Sequence, residues 1–137
     1  MPIASVVIDT NVIVSAHLSS FGLAHRIFDL AIDRRLRLFV STPILEEYEL
    51  VLRRPKFPIL PARVDESLGL IRGCATLVEP TFTLDVSHDE PDNRFLECAE
   101  AAAANFLVTG NLRHFPRAWR TTRIVTCREL VETAFSV

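Results

Sequence analysis

Ile3-Ala4-Ser5-Val6-Val7-Ile8-Asp9-Thr10-Asn11 decides how the chain is read, because an apolar, β-branched run ends abruptly in a carboxylate. Such a run is expected as a strand buried on both faces of a parallel sheet. Asp9 then emerges at the carboxyl edge, where open α/β sheets bind ligands. Asp, Thr and Asn are also good N-cap residues, so the stretch predicts a helix over residues 12–18 and offers Asp9 a structural role as its cap.

Working outward, apolar runs predict further strands at 36–40, 75–78, 106–108 and 122–125, and helical spacing predicts helices at 23–34, 43–54, 62–72, from Asp89 onward, and at 128–135. Thr42 before Pro43 reads as an N-cap with proline at the first helical position, and Pro55 stops that helix. The polar stretch 81–87 fits a loop or a short extra strand. Strands alternating with helices predict an α/β protein, a three-layer α/β/α sandwich around a central parallel sheet, as a single domain over 1–137. Right-handed crossovers bring four junctions to one edge: Asp9 to Asn11, Ser41-Thr42, Asp89 to Asn93, and Thr109 to Asn111.

Composition narrows the class. With 49% hydrophobic and 23% charged residues, the chain matches a globular protein with an ordinary core. No apolar stretch reaches the length of a membrane span and no basic leader precedes the first strand, so the expectation is a cytoplasmic protein with no membrane association. Cys74, Cys98 and Cys127 are odd in number and lack CxxC spacing, which argues against a disulfide framework or a zinc site. The net charge of −2 does not mark a nucleic-acid binder, but its distribution is uneven. Residues 79–100 hold seven acids against one base, Arg94, whereas 101–128 hold no acid and five arginines. An acidic focus beside a basic apron suits a metal site acting on a polyanion.

In the helix 43–54, Ile44, Leu45, Tyr48, Val51 and Leu52 form the core stripe. Glu46 lies nearly opposite it, while Glu47 and Glu49 flank it; Glu47 is the nearer of these to the helix start and so to the functional edge. Asp92 stands four residues before Leu96, in line with Ala99 and Ala103, and therefore begins a buried stripe. Asp89 reads as the cap of that helix, with a capping box as the structural alternative for Asp92. Carboxylates gathered in this way repel unless a cation sits between them, and Mg²⁺ or Mn²⁺ suits an all-oxygen site.

Four segments resemble the motifs of the PIN domain, a metal-dependent ribonuclease fold, and in particular the compact PIN toxins of bacterial toxin–antitoxin pairs. They are Ile8-Asp9-Thr10-Asn11 with Val12 to Ala16, Leu45-Glu46-Glu47-Tyr48 running to Arg54-Pro55-Lys56-Phe57, the run from Asp89 to Glu97, and the run from Phe106 to Pro116. They occur in the family's order and span nearly the whole chain. The resemblance implies that Asp9, Glu47 and Asp92 are the catalytic, metal-binding carboxylates, with Asn111 where many members carry Asp. Asn11, Ser15 and Thr109 are then expected to position substrate. Arg113, Arg117, Trp119 and Arg120 combine cations with a stacking surface and are expected to bind single-stranded RNA. The implied reaction is Mg²⁺- or Mn²⁺-dependent hydrolysis of single-stranded RNA, leaving a 5′-phosphate. The implied partners are a small antitoxin protein and further copies of this chain, as a homodimer or larger. A catalytically weak PIN module that binds RNA or a protein is the alternative, because Asn111 supplies no charge. A haloacid-dehalogenase phosphatase is excluded by Asn11, which cannot serve as the second acid of Asp-x-Asp, and a receiver domain by the sole lysine, Lys56, being misplaced.

Overall fold

Val6, Val7 and Ile8 are completely buried in the computed structural model, which describes residues 2–134. They form β1 (Ser5–Ile8), which lies inside the sheet between β2 (Arg37–Val40) and β4 (Phe106–Val108), parallel to both. Full burial of each such side chain contributes about 1.5–3 kcal/mol, which pins this strand to the centre. The sheet continues through β3 (Thr76–Leu77) beyond β2, and through β6 (Thr122–Val125) and β5 (Ala118–Trp119) beyond β4, in the order β3-β2-β1-β4-β6-β5.

Helices α1 (Thr10–Leu18), α2 (Leu23–Ile32), α3 (Thr42–Leu52), α4 (Pro61–Cys74), α5 (Asn93–Ala102) and α6 (Cys127–Ala134) complete a three-layer α/β/α architecture. α5 packs across β1, β2 and β4, and α6 packs against β4 and β6. No helix among the described residues is long and apolar enough to cross a membrane. Tyr48 is fully buried, and its hydroxyl donates to the carbonyl of Ile8, so α3 is tied to the end of β1 beside Asp9.

The structure corrects the sequence reading in several places. The sheet is parallel except at one edge, where β5 runs antiparallel to β6. The turn between them is allowed by Arg120 in the left-handed region at φ 55°. Ser41, not Thr42, caps α3: its hydroxyl accepts from the Ile44 N–H at 3.4 Å, while Thr42 binds Glu79 instead. For residues 81–87 the structure decides between the two readings the sequence allowed: they form a loop, held by Glu97 accepting from Leu84 N–H and by Asn93 accepting from Val86 and Ser87 N–H. A 3₁₀ turn over Glu90–Asp92 precedes α5, and Asp89 makes no side-chain cap bond to it. Helix α6 is described as far as Ala134, the last described residue; the expected extension to Phe135 lies outside the described residues.

Candidate active site

Asp9 sits where β1 passes into α1. Its N–H donates to the Val108 carbonyl at 2.9 Å, so the pairing of β1 with β4 sets Asp9 beside Thr109. Its own carbonyl accepts from Val12 N–H at 3.0 Å, as a capping residue's does, yet its carboxylate makes no capping bond. That carboxylate accepts instead from the Thr109 hydroxyl at 2.7 Å, and the residue is only 6% exposed. Burial pushes the Asp9 carboxyl up to about 6; the hydrogen bond from Thr109 opposes this, and the charges of Asp92 and Glu47 add to it. Thr109 is fully buried and its hydroxyl also accepts from Asn111 N–H at 2.9 Å, which fixes its orientation from both sides.

Glu47 is half-buried and its carboxylate accepts from the Thr10 hydroxyl, which links α3 to the first residue of α1. Glu46 is exposed on another face, alongside Leu50 and Arg53, and Glu49 pairs with Arg53 at 3.0 Å. Asp92, also half-buried, lies 2.9 Å from His114 Nδ1. Burial raises the Asp92 carboxyl, the hydrogen bond from His114 lowers it, and the Asp89 and Glu47 charges raise it. His114 Nδ1 is also 3.6 Å from Asp89, and its Nε2 is 2.9 Å from the Asn111 amide nitrogen. The neutral tautomer that satisfies this set donates from Nδ1 to carboxylate and accepts at Nε2 from Asn111.

These side chains share one cleft of about 560 Å³, lined by Asp9, Thr10, Asn11, Ser15, Glu47, Asp89, Asp92, Asn111 and His114 on its polar side. Within it, ligating atoms of Asp89, Asp92 and His114 all lie within 4.8 Å of one another, the one such group of three among the described residues. Asp9 and Glu47 face the same space from the neighbouring junctions. The donor set is mainly carboxylate oxygen, and a buried carboxyl pushed to about 6 partly by other acids is what a cation would relieve. The lining therefore fits a hard divalent ion, although Asp9 and Glu47, which line the same cleft, do not join the group of three whose ligating atoms lie within 4.8 Å of one another.

Asn11 and Ser15 line the cleft from α1, and the Asn11 side chain accepts from Gly110 N–H at 3.2 Å. The basic segment is not brought there. Arg113 and Arg117 line a separate depression with Arg123 and Glu129. Trp119 and Arg120 lie at the opposite edge of the sheet, because β5 pairs Trp119 with Thr122 at the start of β6. Both bind Glu100, at 2.8 and 3.1 Å, and the Arg120 guanidinium stacks 5.0 Å from the Trp119 ring centroid. The acidic run is likewise dispersed: Glu79 binds Thr42, Glu90 and Glu97 pair with Arg94, and Asp89 and Asp92 reach the cleft. Sequence reasoning assigned no role to His114, Arg54 or Phe57, all of which line the cleft. The signal for His114 was its place three residues after Asn111, the spacing that lets the two side chains meet across one turn.

The described cysteines are free, and burial raises all three thiols, that of Cys98 to about 12, which leaves no thiolate for nucleophilic chemistry.

Comparison with known proteins gives a consistent picture. A family model described as the PIN domain matches residues 5–113. An uncharacterized protein of Methanocaldococcus jannaschii is 29% identical over 109 residues, covering 77% of this chain and 70% of its own. Among solved structures, VapBC2 from Rickettsia felis, bound to a DNA fragment from their promoter, matches with a TM-score of 0.60 at 16% identity, over 89% of this chain and 98% of that chain. At that identity the likeness is one of fold.

Proposed function

The chain belongs to the PIN domain family, and from that premise we propose that it is a Mg²⁺- or Mn²⁺-dependent endoribonuclease acting on single-stranded RNA, the toxin of a toxin–antitoxin pair. The observation that carries the nuclease reading is the convergence of Asp9, Glu47 and Asp92, from separate βα junctions, on one cleft. The fold shared with VapBC2 from Rickettsia felis supports a small antitoxin as partner; self-association as a dimer or larger is part of the same proposal and is read from the family resemblance alone.

In this reading a divalent ion, when bound, supplies Lewis acidity, lowering the pKa of water and offsetting charge on phosphate oxygens. The chain's own residues prepare the site. Thr109 holds the Asp9 carboxylate in one orientation, and Thr10 does the same for Glu47. His114 orients Asp92, and Asn111 in turn fixes the His114 ring. Asn11, bonded to the Gly110 backbone, presents its remaining amide capacity at the mouth of the cleft for substrate oxygens.

The reading is tested by incubating purified protein with single-stranded RNA and Mn²⁺. Cleavage that leaves 5′-phosphate ends and stops on chelation is the expected result. RNA that stays intact with every divalent ion would favour the alternative, a PIN module that binds without cutting. The observation favouring that alternative is Asn111, an uncharged group engaged with His114. Asn111→Asp adds a charge to the cleft and is expected to tighten Mn²⁺ binding several-fold in calorimetry of the RNA-free protein. Unchanged affinity would place position 111 outside the ligand set.

A further inference from the structure

Arg54 and Phe57 line the acid cleft but take no part in the arrangement of Asp9, Glu47 and Asp92. Their position follows from helix geometry. Asn11, Val14, Ser15 and Leu18 occupy one face of α1 at i, i+3, i+4 and i+7, and all four line the cleft. On α3, Glu47 is followed on the same face by Val51 and then, just past the helix end, by Arg54. Seven residues of helix span roughly 10 Å. Because α1 and α3 pack together, these side chains make a groove that leaves the acids, passes Val14, Leu18 and Val51, and ends at Arg54 and Phe57.

The two adjacent arginines are held differently. Arg53 is paired with Glu49 and with Asp65. Arg54 makes no ion pair among the described residues, although Asp9, Glu47, Asp89 and Asp92 line the same cleft. Its backbone is fixed: its N–H donates to Val51 at 3.1 Å, and its carbonyl accepts from Phe57 N–H at 3.0 Å. That closed turn holds Phe57, half-buried against the core, on the same cleft as Arg54, with the Lys56 ammonium 5.1 Å from its ring centroid. An unpaired cation, a fixed aromatic ring and an apolar floor are the elements that hold a phosphate and an unpaired base.

We propose that the α1–α3 groove holds the single-stranded RNA next to the bond being cut, with Arg54 on a phosphate of the adjoining nucleotide and Phe57 stacked on its base. This assignment rests on the ribonuclease reading. It moves RNA recognition away from Trp119 and Arg120, which already bind Glu100.

The test is equilibrium binding of a short, labelled, mixed-sequence single-stranded RNA, with Ca²⁺ replacing Mn²⁺ to suppress cleavage, over a range of salt. Arg54→Gln is expected to weaken binding roughly tenfold and to reduce the slope of log affinity against log salt by about 0.7, the value of one single-strand phosphate contact. Phe57→Leu keeps the apolar packing but loses the flat ring, and is expected to weaken binding about fivefold or more with little change in salt slope or thermal midpoint. Arg53→Gln is expected to bind as wild type does. Wild-type protein that fails to bind RNA at all would overturn the ribonuclease reading itself. Wild-type binding that Arg54→Gln and Phe57→Leu leave unchanged would overturn the groove assignment alone.

Discussion

Asp9→Asn is expected to remove Mn²⁺-dependent RNA cleavage by roughly 10³-fold or more while making the metal-free protein more stable at neutral pH. Asparagine keeps the size of the side chain and still accepts from the Thr109 hydroxyl, so the fold has no reason to change. What it deletes is a buried charge. Folding raises this carboxyl from 3.8 to about 6. Between those values the folded chain retains a proton that the unfolded chain has released, so stability falls as pH rises through the window. The penalty is absent below about pH 4 and complete above about pH 6, where it amounts to roughly 3 kcal/mol. Thermal midpoints of metal-free wild type should therefore decline across this range more steeply than those of Asp9→Asn. Added Mn²⁺ should restore stability to wild type by linkage and leave the variant unmoved. Parallel pH profiles for the two proteins, or retained cleavage by the variant, would remove Asp9 from the centre of the site.

That prediction rests on the part of the chain most legible from sequence. A run of β-branched residues ending in Asp left little freedom about where the carboxylate would stand, because burying Val6, Val7 and Ile8 dictates the strand and the strand dictates its edge. The α3 stripe was legible for a similar reason: with Ile44, Tyr48 and Leu52 at zero exposure, the angular positions of Glu46 and Glu47 follow. The cap of α3 was not, since Ser41 and Thr42 are chemically alike and proline is tolerated at either of the first helical positions; a backbone turn of one residue decides between them. Edge strand β5 was hidden by being two residues long, and its pairing depends on a left-handed Arg120 that no hydrophobic pattern announces.

The charge asymmetry was visible, but its destination was not. Counting acids and bases along a chain reveals nothing about which side chains neutralise one another across the fold. Glu100 is nearly twenty residues from Trp119 and Arg120, yet it engages both. Arg94 similarly takes two of the acids that seemed available to a cation, at 2.8 Å each. The acids facing the cleft, Asp9, Glu47, Asp89 and Asp92, have no arginine partner among the described residues; with His114 against Asp89 and Asp92, and Arg54 opposite them in charge, they give the cleft its chemistry.

Glu47→Gln is expected to lower RNA cleavage roughly 10²-fold with the fold intact, whereas Glu46→Gln should cleave as wild type does and change stability by less than about 0.5 kcal/mol. The two glutamates are adjacent in sequence but ~100° apart around the helix axis, so one faces the cleft and the other faces solvent. Glutamine at position 47 can still accept from the Thr10 hydroxyl, which preserves the contact between α3 and α1 and confines the change to charge. Because the Glu47 charge is one cause of the elevated Asp9 carboxyl, its removal should also let Asp9 titrate slightly lower in the metal-free protein, a shift readable by carboxyl-carbon NMR. The displacement should be small, since burial is the larger cause and the substitution leaves burial unchanged. An inactive Glu46→Gln beside an active Glu47→Gln would mean that the solvent-facing glutamate serves the reaction, and the assignment of the α3 face to the metal site would fall with it.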